Sequence, residues 1–170
     1  LSEALSQTIV AGPRTNVAFL KALADAPEFR AGRFDTGFID RNIEALGATP
    51  RPPDAQSLRV GAAQIYFDRQ WRHSVAEPDS PWSATDAFQL SGARRTPIKF
   101  LANGEVAEAM LAWDGSGGDP KVEIDGVSAA MANPRGDAAT HVVDFDGGAY
   151  VVRAGRQTEI RAYDPLDVDV

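Results

Sequence analysis

A chain of 170 residues holds enough material for one domain with a sizeable core, or for one domain and a remnant of another. Seventeen Lys and Arg against 24 Asp and Glu leave a net charge of -7, which argues against nucleic acid or an anionic membrane as a principal partner. The absence of cysteine excludes disulfides, thiol catalysis and thiolate metal sites, and fits a reducing, cytoplasmic setting.

In chain order, Leu1 to Val10 reads as a helix end followed by a short strand at Thr8-Ile9-Val10. The opening on Leu1, without a signal-peptide pattern, is expected of a chain cut from something longer. After the Gly12-Pro13 turn, Thr15 or Asn16 caps a helix in which Val17, Leu20 and Leu23 recur at helical spacing. Pro27 restarts a short turn that Gly32 closes, and Asp35 to Asn42 forms another turn and short helix. Residues 1–47 have apolar faces but little to bury them against, so they read as the end of a larger domain. Residues 48–53, with Pro50, Pro52 and Pro53, make a stiff linker that no helix crosses.

Asp54 then caps a long helix to about Val75, and from Leu58 to Phe67 only Arg59 and Gln64 are polar. A helix apolar all round must be enclosed, and this run is too short to span a bilayer. Leu58, Ala62, Ile65 and Phe67 are expected in the core against Ile98, Phe100, Val122, Ile124, Val143 and Val151. Residues 76–95 read as an irregular connection, and 96–163 as a β meander with hairpin turns at Asn103-Gly104, Asp125-Gly126, Asp146-Gly147 and Ala154-Gly155. Seven strands are legible, with Phe88 to Ser91 as a weaker eighth. Alanines at 102, 107, 109, 112, 129, 130 and 149 leave room inside such a sheet. The expected class is therefore α+β: a short helical remnant, then an up-and-down antiparallel barrel of about eight strands around a central long helix.

Chemistry is sparse. His73 and His141 lie in different elements without metal-ligand spacing, and Gly115-Ser116-Gly117-Gly118 has neither a P-loop lysine nor a helix to open. The carboxylates are scattered over turns and outer strand faces, with no pair placed for general acid and base work. No catalytic, cofactor-binding or metal-binding residue is assigned.

Three short motifs carry a resemblance: Gly12-Pro-Arg-Thr-Asn-Val-Ala-Phe-Leu20, Pro27-Glu-Phe-Arg-Ala-Gly32 and Asp35-Thr-Gly-Phe-Ile-Asp-Arg41. Their order and spacing resemble the C-terminal end of the biotin carboxylase domain in biotin-dependent acyl-CoA carboxylase α subunits. The helix and meander beyond them are similar to the BT domain of the same subunits, a long helix surrounded by an eight-stranded barrel. Ser80-Pro81-Trp82 and Phe88-Gln-Leu90 look closer to the 3-methylcrotonyl-CoA type than to the propionyl-CoA type; acetyl- and geranyl-CoA carboxylases are further alternatives.

The resemblance implies residues 1–47 from the biotin carboxylase domain, a BT domain over 54–165, and the start of a linker to a biotin carrier domain at 166–170. It implies a carboxyltransferase β subunit as partner, together with the biotin carboxylase and carrier domains of the same full-length chain. Biotin, ATP and Mg belong to the holoenzyme, with none expected here, because no lysine stands in the family's Ala-Met-Lys-Met context. The subunit interface is expected on the connection, at Trp82, Phe88, Arg94 and Arg95. A lipocalin-like barrel with a cavity for a small apolar ligand is the reading from another class.

Overall fold

The computed structural model describes residues 1–47, 51–76, 92–114, 119–131, 136–137, 139–145 and 148–164. Four short helices come first: α1 (Ser2–Ser6), α2 (Val17–Asp25), α3 (Pro27–Arg30) and α4 (Phe38–Arg41). The strand expected at Thr8–Val10 is absent: Thr8 donates its hydroxyl to the Ala4 carbonyl and its N–H to that of Leu5, closing α1 instead. Helix α2 starts after Asn16 and α3 starts on Pro27, where a missing N–H is harmless. Phe38 and Leu46 are buried, whereas Leu20, Phe34, Ile39 and Ile43 stay exposed.

Helix α5 (Ala55–Ala76) spans 22 residues, about 33 Å. Asp54 caps it as expected, its Oδ1 accepting the Ser57 N–H at 2.9 Å. Val60, Gly61, Ala62 and Ala63 are all buried. Four successive positions sweep the whole circumference at 3.6 residues per turn, so this stretch is covered on every side. The coverage ends before the helix does: Arg69, Trp71, Arg72, Val75 and Ala76 are exposed. Phe67, expected in the core, is only half-buried at this exit, and Val60 takes the deep position instead.

The sheet comprises β1 (Arg95–Ala102), β2 (Glu105–Ala112), β3 (Lys121–Ile124), β4 (Val127–Ala130), the two-residue β5 (Gly136–Asp137), β6 (Thr140–Phe145), β7 (Gly148–Arg153) and β8 (Arg156–Ala162). It is antiparallel throughout, in the order β4-β3-β2-β1-β8-β7-β6-β5. Seven strands of four residues or more thus form a curled sheet, with β5 adding a two-residue ladder. Among the described residues β4 pairs only with β3 and β5 only with β6, which makes a half-barrel. The weaker strand expected at Phe88–Ser91 lies outside the described residues.

Turn chemistry sets the hairpins. Asn103, Asp125 and Ala154 all have positive φ and each precedes a positive-φ glycine, the backbone that two-residue hairpins of matching twist require. The resulting registers put large residues opposite small ones on the inner face. Phe100 faces Ala107 and Ala162, Ile98 faces Ala109, and Ile160 faces Ala149 and Ala102. The small partners leave space that Val60, Ala62 and Ile65 of α5 fill, in one cluster with Phe100, Leu111, Val122, Ile124, Val151 and Trp113. Helix α5 contacts β1, β2, β3, β7 and β8. Val142, opposite Val151, packs on this cluster; Val143 is one residue out of phase and points to the other face.

Strand β7 has no polar alternation because both its faces are covered. Ala149 and Val151 belong to the inner cluster, and Tyr150 and Val152 are buried on the opposite side. The N-terminal helices lie near here: a Cβ built on Gly155, in the β7–β8 turn, would sit 3.0 Å from Val17 Cγ1 and 3.3 Å from Ala18 N.

Candidate functional site

Of the four residues singled out from the sequence on the connection between α5 and β1, Trp82 and Phe88 lie outside the described residues. Arg94 and Arg95 sit at its downstream end. Arg94 places its guanidinium 4.8 Å from the centre of the Trp113 ring, and its carbonyl accepts the Trp113 N–H at 3.0 Å. Trp113 meets Tyr66 of α5 edge-on at 5.9 Å, and Gln70 donates to the Tyr66 hydroxyl at 2.7 Å. The middle of α5 and the downstream end of the connection are thus tied together through Tyr66, Trp113 and Arg94. Arg95 points elsewhere, pairing with Glu123 of β3 at 2.6 Å. Of the two described candidates, the structure therefore brings Arg94 and not Arg95 into the aromatic cluster.

Tyr66 and Trp113 escaped the sequence reading as site residues because each is one apolar position in a helical or strand pattern. The available signal was the short spacing of Trp113 from the end of β2, which has to return beside Arg94. On the helix beyond Tyr66, Trp71 is 71% exposed and Val75 61%, an apolar stripe at i, i+4 spacing that is uncovered among the described residues.

The remaining chemical groups are engaged in ordinary surface pairs. Lys21 pairs with Asp25, Lys99 with Glu108 across β1–β2, and Lys121 with Asp114. Asp25 is held below the usual carboxylate range by the hydrogen bond from Lys21, with Ser2 adding a second. Arg41 does the same for Asp35 at 2.7 Å. Arg161 is held above its usual value by Glu159, whose Oε1 accepts from Nε at 2.6 Å. Among the described residues no three His, Asp or Glu converge as a metal site, and no helix is long and apolar enough to cross a membrane. His141 lies on β6 opposite Val152; the side chain of His73 and residues 115–118 lie outside the described residues.

No family model matches the chain. It is 31% identical over 119 residues, 69% of its length, to methylcrotonoyl-CoA carboxylase subunit alpha, mitochondrial, of Dictyostelium discoideum. Over 58 residues, 34% of its length, it is 41% identical to human mitochondrial pyruvate carboxylase and 40% identical to that of the mouse. The matches span 17% of the Dictyostelium protein and 5% of each pyruvate carboxylase, so the chain corresponds to a small part of these relatives. Similarity to two kinds of carboxylase supports a fragment of the biotin-dependent carboxylase family.

Proposed function

We propose that this chain is a non-catalytic assembly element of a biotin-dependent acyl-CoA carboxylase α subunit, one that holds the biotin carboxylase and the carboxyltransferase β subunit together. The observation that carries this reading is the 31% identity to methylcrotonoyl-CoA carboxylase subunit alpha over 119 residues. The same similarity favours 3-methylcrotonyl-CoA as the acyl-CoA over propionyl-, acetyl- or geranyl-CoA. In this reading residues 1–47 close a biotin carboxylase domain, 48–53 link it, and 54–165 form a BT domain. There α5 is the central helix of a barrel completed to eight strands. A cytoplasmic location belongs to the same proposal and rests on the absence of cysteine.

Biotin, ATP and Mg would be held by other parts of the full-length protein. The three lysines are engaged with carboxylates and none follows a methionine, so they do not suit biotin attachment. The docking surface is the connection over residues 74–92. Its sequence sets Trp82 and Phe88 among prolines, and pre-organised aromatics make interface hot spots. Arg94, stacked on Trp113, anchors its downstream end. The lipocalin-like alternative loses support because α5 fills the space that an apolar ligand would need.

The test is association of the full-length α subunit with its carboxyltransferase partner. Trp82→Ala should weaken association by about 2 kcal/mol or more and leave the melting temperature nearly unchanged. Loss of stability with association spared would move the docking face elsewhere. The 170-residue chain alone should show no bicarbonate-dependent ATP turnover, and measurable turnover would overturn the non-catalytic assignment.

A further inference from the structure

A cavity of about 460 Å³ opens between the exit half of α5 and the ends of β6, β7 and β8. It arises from the residue choices on both walls. Gln64, Asp68 and Arg72 recur at four-residue spacing on one helix face, with Ile65 beside them. Opposite, the sheet wall is lined by the small residues Gly148, Ala149 and Ala162. Ile65 and Ile160, almost fully buried, give the cavity an apolar floor.

Its charged groups divide into engaged and free. Asp68 Oδ1 accepts from Gln64 at 2.9 Å, and Arg161 is committed to Glu159 at 2.6 Å. Among the described residues Arg72 donates only its Nε, to the backbone carbonyl of Asp68 at 3.3 Å, which leaves the rest of its guanidinium open. The Asp144 carboxylate has neither an ion pair nor a hydrogen bond among the described residues. Arg72 and Asp144, of opposite charge and not paired with each other, thus line the same cavity as Ile65 and Ile160.

We propose that this cavity binds a small zwitterion, an ammonium and a carboxylate joined by an apolar stem. The carboxylate meets Arg72, in the geometry that guanidinium favours, and the ammonium meets Asp144. The stem covers Ile65 and Ile160. A plain cation or anion would satisfy one wall and leave the other charge unmatched. A metal ion suits the lining poorly, since no three His, Asp or Glu converge among the described residues.

The probe is 5-aminopentanoate, titrated calorimetrically into the intact protein beside pentanoate and pentylamine. The zwitterion should bind about tenfold or more tightly than either single-charge analogue, as expected when one charge-assisted contact is lost. Asp144→Asn should abolish the preference over pentanoate, and Arg72→Gln the preference over pentylamine. Both side chains are exposed, so neither variant should shift the melting temperature. Equal binding of the three probes, no binding of the zwitterion, or variants that leave the preferences intact would overturn the assignment.

Discussion

Single residues show where local chemistry and packing decide stability. Ala154 occupies the left-handed region at φ 50°, where a Cβ costs about 1–2 kcal/mol, yet its place before Gly155 is equivalent to that of Asn103 before Gly104. Ala154→Asn should therefore stabilise the protein by about 0.5–1 kcal/mol in chemical denaturation, because asparagine tolerates this backbone. A loss of stability would mean that the alanine side is held by packing. Phe100 and Phe67 form a second contrast. Phe100 has no exposed surface and is surrounded by alanine partners, so Phe100→Ala should cost about 3–5 kcal/mol. Phe67, half-buried at the helix exit, should cost only about 1 kcal/mol on truncation. Its apolar identity was plain in the sequence. The polar run from Asp68 to His73 marked where the helix emerges, but not that Phe67 itself lies at the exit, because tertiary cover, unlike periodicity, is not encoded locally.

At the scale of elements, hairpins were the most legible part. Asn103-Gly104 and Asp125-Gly126 dictate their backbone through two residues, and the strands on either side follow in register. The helix was legible from its Asp54 cap and its all-round apolar stretch. The mid-helix Gly61 was not read for what it does. A Cβ there would lie 2.8, 2.9 and 3.2 Å from three carbons of Ile160, itself 1% exposed, so helix and sheet approach closely at this glycine. Gly61→Ala gains about 1 kcal/mol of helix propensity but overpacks the contact at about 1–3 kcal/mol. A net loss of stability is expected, recovered in part by adding Ile160→Val. Additive effects in that double-mutant cycle would show that the two residues do not touch.

The N-terminal helices carry a pH signature. Asp35 has its folded pKa depressed by the Arg41 hydrogen bond, so the pair contributes above the ordinary carboxylate pKa and is lost as pH falls through the lower folded value. NMR titration should place the Asp35 midpoint below that of an unpaired aspartate, and Arg41→Gln should restore it. Since both side chains are largely exposed, global stability should barely respond.

For the whole molecule, the sheet is two meanders, β1 to β4 and β5 to β8, made of sequence neighbours. Among the described residues they meet only where β1 pairs with β8, across three residue pairs: Phe100 with Ala162, Leu101 with Arg161 and Ala102 with Ile160. Asn103 extends that seam, donating its N–H to the Glu159 carbonyl and accepting the Glu159 N–H on Oδ1, both at 2.9 Å. The time course of folding follows from this. Hairpins close in about 1–10 μs, whereas contacts distant in sequence must first meet the entropy of a long loop. The meanders should therefore form early and the seam late, after the rate-limiting step. Asn103→Gly keeps the turn and deletes one seam hydrogen bond, so it should speed unfolding while leaving the folding rate nearly unchanged in stopped-flow measurements. Slowed folding would instead make the seam the nucleus. A late, lightly bonded seam also makes it the line along which this molecule first comes apart.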